Sequence, residues 1–224
     1  MLILVEFDGV LADVRAVYYA AHRCAAGESG WSRLDESTFW RLIRTKGRQG
    51  GFLPGARVGL VASYRTRFEL EVEATENIDQ FEWRPACADA LQRLSRHGSC
   101  AGVTVGSNLD ARRASLNRSR IGDFVDRLDG LHEDPRRRPG ELTMLATGQP
   151  RTMVVAAGDA LIRAAGQAQL FCVGVSSGYC SARRLHQAGA DVVYTELEEL
   201  VDSLDHRAPD LIRAGLLPPS GFES

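Results

Sequence analysis

Two carboxylates, Glu6 and Asp8, close an apolar run over residues 2–5 and are followed at once by Gly9. In an extended chain, residues i and i+2 project the same way, so this pair can serve one reacting centre. Gly9 allows the next stretch of backbone to curl close to an anion. An E-x-D sequence is also an ordinary solvated strand end, and the rest of the chain has to decide between the two. Polar residues follow other apolar runs in the same manner. Ser107 and Asn108 come after Val103-Thr-Val-Gly106, placed either to donate to an anion or to cap a helix. Asp159 ends Met153-Val-Val-Ala-Ala-Gly, and Arg138-Pro139 lies in the basic stretch from Asp134 to Gly140.

The elements that must position these groups alternate along the chain. Leu2, Ile3, Leu4 and Val5 in succession fit a strand buried on both faces. Similar runs occur at 100–105, 152–157, 170–175 and 191–194, with a short extra strand near 127–131. Between them, helical spacing appears at 85–97, 110–121, 140–148, 161–168 and 181–188. Alternating strands and helices predict an α/β fold with a doubly wound parallel sheet and right-handed crossovers. The acids then sit at the carboxyl edge of the sheet, where such folds bind ligands. Residues 15–83 break the rhythm. They are helix-prone at 14–26, 35–44 and 56–74, contain no run that reads as a core strand, and are expected to form an inserted helical domain.

Bulk properties exclude several function classes. The 224 residues have a 44% apolar and 25% charged composition, ordinary for a globular protein. A net charge of −2 gives no case for a nucleic-acid or membrane partner. The chain shows neither a membrane span nor a basic leader, and the expected location is the cytoplasm. The five cysteines have no C-x-x-C spacing and the five histidines no common one. Neither a disulfide framework nor a zinc site is indicated, and Cys100 and Cys172 are expected in the core. The three tryptophans are expected to pack within the inserted domain or at its hinge.

The segment Glu6-Phe7-Asp8-Gly9-Val10-Leu11 resembles the first motif of the haloacid dehalogenase superfamily, in which a hydrophobic strand ends in Asp-x-Asp-Gly. The resemblance extends through Leu200, including Cys172–Tyr179 and Leu185–Tyr194, and points to the phosphoglycolate-phosphatase and β-phosphoglucomutase-like branch. It implies a core at 1–14 and 84–205, a helical cap at 15–83 and a tail at 206–224. Of the site residues it implies, Glu6 stands at the nucleophile and Asp8 at the general acid/base, with Gly9, Ser107, Asn108 and Arg138 around the phosphate. Glu6, Asp8 and Asp159 would hold Mg²⁺. Independently of the resemblance, Lys46 and Arg48 stand among the glycines of the loop at 45–51, placed to reach a second anionic group of a substrate.

Three positions depart from the pattern. Glu6 replaces the nucleophilic Asp, Arg138 replaces a lysine, and Arg163 stands where a second metal-site acid is usual. Glutamate is one methylene longer, and misplacing an attacking atom by about 1 Å costs on the order of a hundredfold in rate. An arginine near the metal would repel it. The expectation is a catalytically impaired member, a pseudoenzyme that binds a small phosphorylated metabolite or anion under its cap. The alternative is an active Mg²⁺-dependent phosphomonoesterase using Glu6 as nucleophile.

Overall fold

The computed structural model describes residues 1–46, 58–84, 86–207, 209–213 and 216. Its centre is a six-stranded parallel sheet. Strand β1 (Leu2–Glu6) leads through the turn of Gly9 to a short β2 (Ala12–Asp13). Helices α1 (Arg15–Glu28), α2 (Glu36–Lys46), α3 (Val58–Glu73) and α4 (Thr75–Ile78) follow, and β3 (Glu82–Trp83) returns beside β2. The second half runs α5 (Cys87–Leu94), β4 (Ser99–Thr104), α6 (Leu109–Asn117), β5 (Leu128–Gly130), α7 (Arg138–Ala146) and β6 (Thr152–Ala156). It closes with α8 (Asp159–Gln167), β7 (Phe171–Val175), α9 (Ala182–Ala188), β8 (Val192–Tyr194), α10 (Leu197–Asp205) and α11 (Pro209–Arg213).

The sheet order is β5-β4-β1-β6-β7-β8. Its middle strand β1 pairs in parallel with β4 and β6, Leu2 lying opposite both Ser99 and Thr152. Every residue of β1 is buried, as its unbroken apolar run requires. The chain builds outward from β1 to β4 and β5, then crosses to β6 on the other side. That reversal opens a crevice at the carboxyl ends of β4, β1 and β6, which is where Asp8, Ser107 and Asp159 emerge.

Strands β1, β4, β6, β7 and β8 agree with the sequence periodicity to within one residue at each end, and β5 falls in the expected extra segment. Other boundaries move. Arg138 opens α7 two residues ahead of the expected helix start, with Pro139 in its first turn, a position that suits proline's fixed φ. Asp159 opens α8 two residues ahead of the expected start. The 15–83 segment contains β3, although it contributes nothing to the main sheet. Trp83 packs edge-on against Phe7 at 5.6 Å, and Trp40 stacks on Tyr18 at 6.4 Å. No cysteine is paired, and Cys87, Cys100, Cys172 and Cys180 are buried. Among the described residues no helix is long and apolar enough to cross a membrane.

Candidate functional site

Glu6 is the last residue of β1 and is only 1% exposed. Its longer side chain crosses to the neighbouring strand end, where Oε2 accepts from the backbone N–H groups of Ala157 and Gly158, each at 2.8 Å. Tyr179 donates its hydroxyl to Oε1. The buried carboxylate is thus matched by directed donors, as a buried charge must be. Tyr179 is itself buried and lies over Gly9. At Gly9, φ is +92° and a Cβ would come within 2.8 Å of the tyrosine ring. On its other side Tyr179 faces Tyr18 of α1, with the ring centroids 6.2 Å apart. The phenol therefore separates Glu6 from the space beneath the inserted helices.

Asp8 has different partners. Thr104 donates to Oδ2 at 2.9 Å, and Arg112 Nε lies 3.2 Å from Oδ1. The Arg112 guanidinium continues to Glu73 at the end of α3, with Nη1 2.6 Å from Oε2 and Nη2 3.0 Å from Oε1. Although a full-length charged side chain, Arg112 is completely buried. Burial alone would lower its pKa, but Asp8 beside it and the hydrogen bond to Glu73 carry it above the ordinary value. Gly106 provides the space, since a Cβ there would lie 2.3 Å from the guanidinium carbon. The sequence reading did not anticipate Arg112, because its partners are 104 and 39 residues away.

Asp159 is held by two guanidiniums. Arg163, one turn along α8, donates to Oδ2, and Arg184 of α9 approaches the same oxygen with Nε at 3.1 Å and Nη2 at 2.7 Å. Arg184 also donates from Nη1 to the carbonyl of Ile43 in α2, at 3.0 Å. Cys180 lies beside this cluster. Burial raises its thiol to about 11, an effect that Arg184 partly offsets, so it is protonated at neutral pH and unsuited to nucleophilic work.

A cleft of about 690 Å³ lies between α3 and the carboxyl edge of the sheet. Asp8, Ser107, Arg138, Asp159, Arg163 and Lys46 line it, and Glu6 does not. Ser107 is exposed there, and among the described residues its hydroxyl has no partner. Asn108, expected at the phosphate, turns away from the cleft. Its Oδ1 caps α6 through Ala111 N, and its amide donates to the Glu73 carbonyl at 3.0 Å and Thr75 at 3.1 Å. Helix capping and the cap-to-core seam take up both ends of that side chain. Arg138 reaches the cleft while Nε and Nη2 donate to the carbonyls of His132 and Glu133, at 2.8 and 2.9 Å. Lys46 is exposed at the rim, whereas Arg48 lies outside the described residues.

The residues expected to hold Mg²⁺ do not fit it. A hard cation needs several oxygen lone pairs converging on one point. The Glu6 oxygens face N–H and O–H donors instead, and the Asp159 carboxylate faces guanidiniums. Among the described residues no group of three or more His, Cys, Asp or Glu side chains is placed to hold a metal ion.

Fold and crevice together define a haloacid dehalogenase-like α/β fold with helices inserted after the first strand. Solved structures share it. A haloacid dehalogenase-like hydrolase from Streptococcus pneumoniae superposes with a TM-score of 0.73 at 14% identity, covering 91% of this chain and 97% of that one. A predicted phosphoglycolate phosphatase from Haemophilus somnus gives 0.64 at 14% identity, covering 91% and 97%. CbbY from Rhodobacter sphaeroides, in complex with phosphate, gives 0.60 at 20% identity, covering 89% and 95%. No family model and no curated protein matches the sequence.

Proposed function

We propose that this chain binds a small phosphorylated metabolite or a similar anion in its cleft and does not hydrolyse it by the nucleophilic route associated with the fold. One observation carries the reading. Glu6, at the nucleophile position, is closed off from the cleft by Tyr179 and accepts three hydrogen bonds from the core. A general nucleophile needs a line of approach to its substrate, and this carboxylate has none while the phenol is in place. The cleft wall keeps Ser107, Arg138 and Lys46, donors suited to an oxyanion. Its volume lies within the range usual for small-ligand sites. The free cysteines fit a reducing compartment, in keeping with a cytoplasmic protein.

A phosphomonoester panel with Mg²⁺ tests the reading on the wild type, Glu6→Ala and Glu6→Asp, alongside calorimetric titration with inorganic phosphate. The expected outcome is phosphate binding without turnover in the wild type. Turnover that Glu6→Ala abolishes would instead establish a working phosphomonoesterase with Glu6 as nucleophile and Asp8 as acid/base. Absence of both turnover and phosphate binding overturns the anion-binding reading as well.

A further inference from the structure

The cluster at the start of α8 offers more than a failed metal site. Asp159 contributes one negative charge, and Arg163 and Arg184 contribute two positive ones, so the group carries a net positive charge at the cleft wall. The two arginines are not equivalent. Arg184 engages Asp159 through Nε and Nη2 and the Ile43 carbonyl through Nη1, which fixes it between core and cap. Arg163 gives Asp159 only Nη2. Its side chain is 55% exposed, and among the described residues Nε and Nη1 have no partner. A guanidinium anchored through one nitrogen, with two donor groups left over, can hold an oxyanion.

We propose that Arg163, positioned by Asp159 and backed by the charge of Arg184, provides the fixed positive charge for which this fold would otherwise need a metal. The cleft then binds phosphate-class oxyanions without a divalent cation. The inference rests on the anion-binding reading above and adds where the counter-charge comes from. Arg163 opposes the ligand's charge, Asp159 holds Arg163 in place, and the charge of Arg184 prevents Asp159 from cancelling the effect. The Ser107 hydroxyl and the Lys46 ammonium line the same cleft, and among the described residues each lacks a partner. They are available for the other oxygens of the anion.

The test titrates inorganic phosphate into the full-length protein by calorimetry, once in EDTA and once in millimolar Mg²⁺, and separately titrates Mg²⁺ alone. The expected result is the same affinity in both phosphate titrations and no saturable heat from Mg²⁺. Arg163→Gln, on an exposed helix position, is expected to bind phosphate roughly tenfold more weakly or worse, the usual effect of losing a charge-assisted hydrogen bond. Its melting temperature should match that of the wild type. Phosphate binding that disappears in EDTA would overturn the inference and leave the anion-binding reading standing, as would saturable Mg²⁺ binding or unchanged affinity in Arg163→Gln. Absence of phosphate binding in either buffer would overturn the anion-binding reading itself and the inference with it.

Discussion

Glu6 and Asp8 stand two residues apart on one turn, yet the regions around them are built on different principles. Around Glu6 stand uncharged donors of the core, two backbone N–H groups and a phenol. Around Asp8 a guanidinium extends to Glu73, so the carboxylate of the core is tied to the end of a cap helix. The Asp8 region thus includes a partner on α3, and its full set of bonds forms only while that helix is docked. Two carboxylates two residues apart can therefore serve different ends, one closed into the core and the other made part of a fastening.

Removing the fastening is the strongest way to break that comparison. Arg112→Met leaves Asp8 buried without a counter-charge, and such losses cost about 3–5 kcal/mol. Urea denaturation measures it, and a loss under about 1 kcal/mol would show that the Asp8 region does not depend on the bridge. Arg112→Lys should recover only part, since an ammonium cannot span both carboxylates as the fork does.

Acid probes the cap side next. His22 of α1 is fully buried between Tyr64, whose hydroxyl lies 2.8 Å from Nδ1, and the Leu34 N–H, which donates to Nε2 at 3.1 Å. Burial lowers its pKa from 6.5 to about 4. Between those values the unfolded chain takes up a proton that the folded chain refuses. This contribution is therefore intact above pH 6.5 and is lost as the pH falls toward 4, about 3 kcal/mol in all. Stability measured from pH 7 to 4 should fall more steeply in the wild type than in His22→Gln. Hydrogen exchange should show α1 and α3 loosening before the sheet. Equal slopes in the two proteins would remove His22 from the account.

The smallest effect belongs to the Glu6 side. Tyr179→Phe keeps the ring over Gly9 and against Tyr18 but removes the phenol's hydrogen bond to Glu6, and about 1–2 kcal/mol of stability should go with it. No phosphatase activity is expected to appear, since the ring still bars the approach. Measurable turnover in this variant would mean that the hydroxyl alone held Glu6 out of use.

Local signals explain which of these features could be read in advance. The parallel strands were legible because residues such as Leu2–Val5 and Met153–Ala157 are unbroken apolar runs, and a strand buried on both faces needs nothing else. The link between Asp159 and Arg163 was within reach, because four residues apart on a helix is contact distance. Arg112 and Tyr179 were not. Each acts through a partner more than a hundred residues away, and nothing in their neighbourhoods distinguishes them from a surface arginine on a helix and a loop tyrosine. Asn108 was open to two readings from its sequence, and the helix behind it, together with Glu73 and Thr75, took the side chain.

The pairing of β2 with β3 has a consequence for how the helices between them are attached. Ala12 lies opposite Trp83 and Asp13 opposite Glu82, so the cap leaves the core and returns to it through two adjacent, antiparallel strands. In topological terms the whole cap is the loop of a hairpin. Such a junction leaves the spacing of the core ends unchanged whatever is inserted between them. The cap could be exchanged for another, or for a two-residue turn, without asking the sheet to change its register.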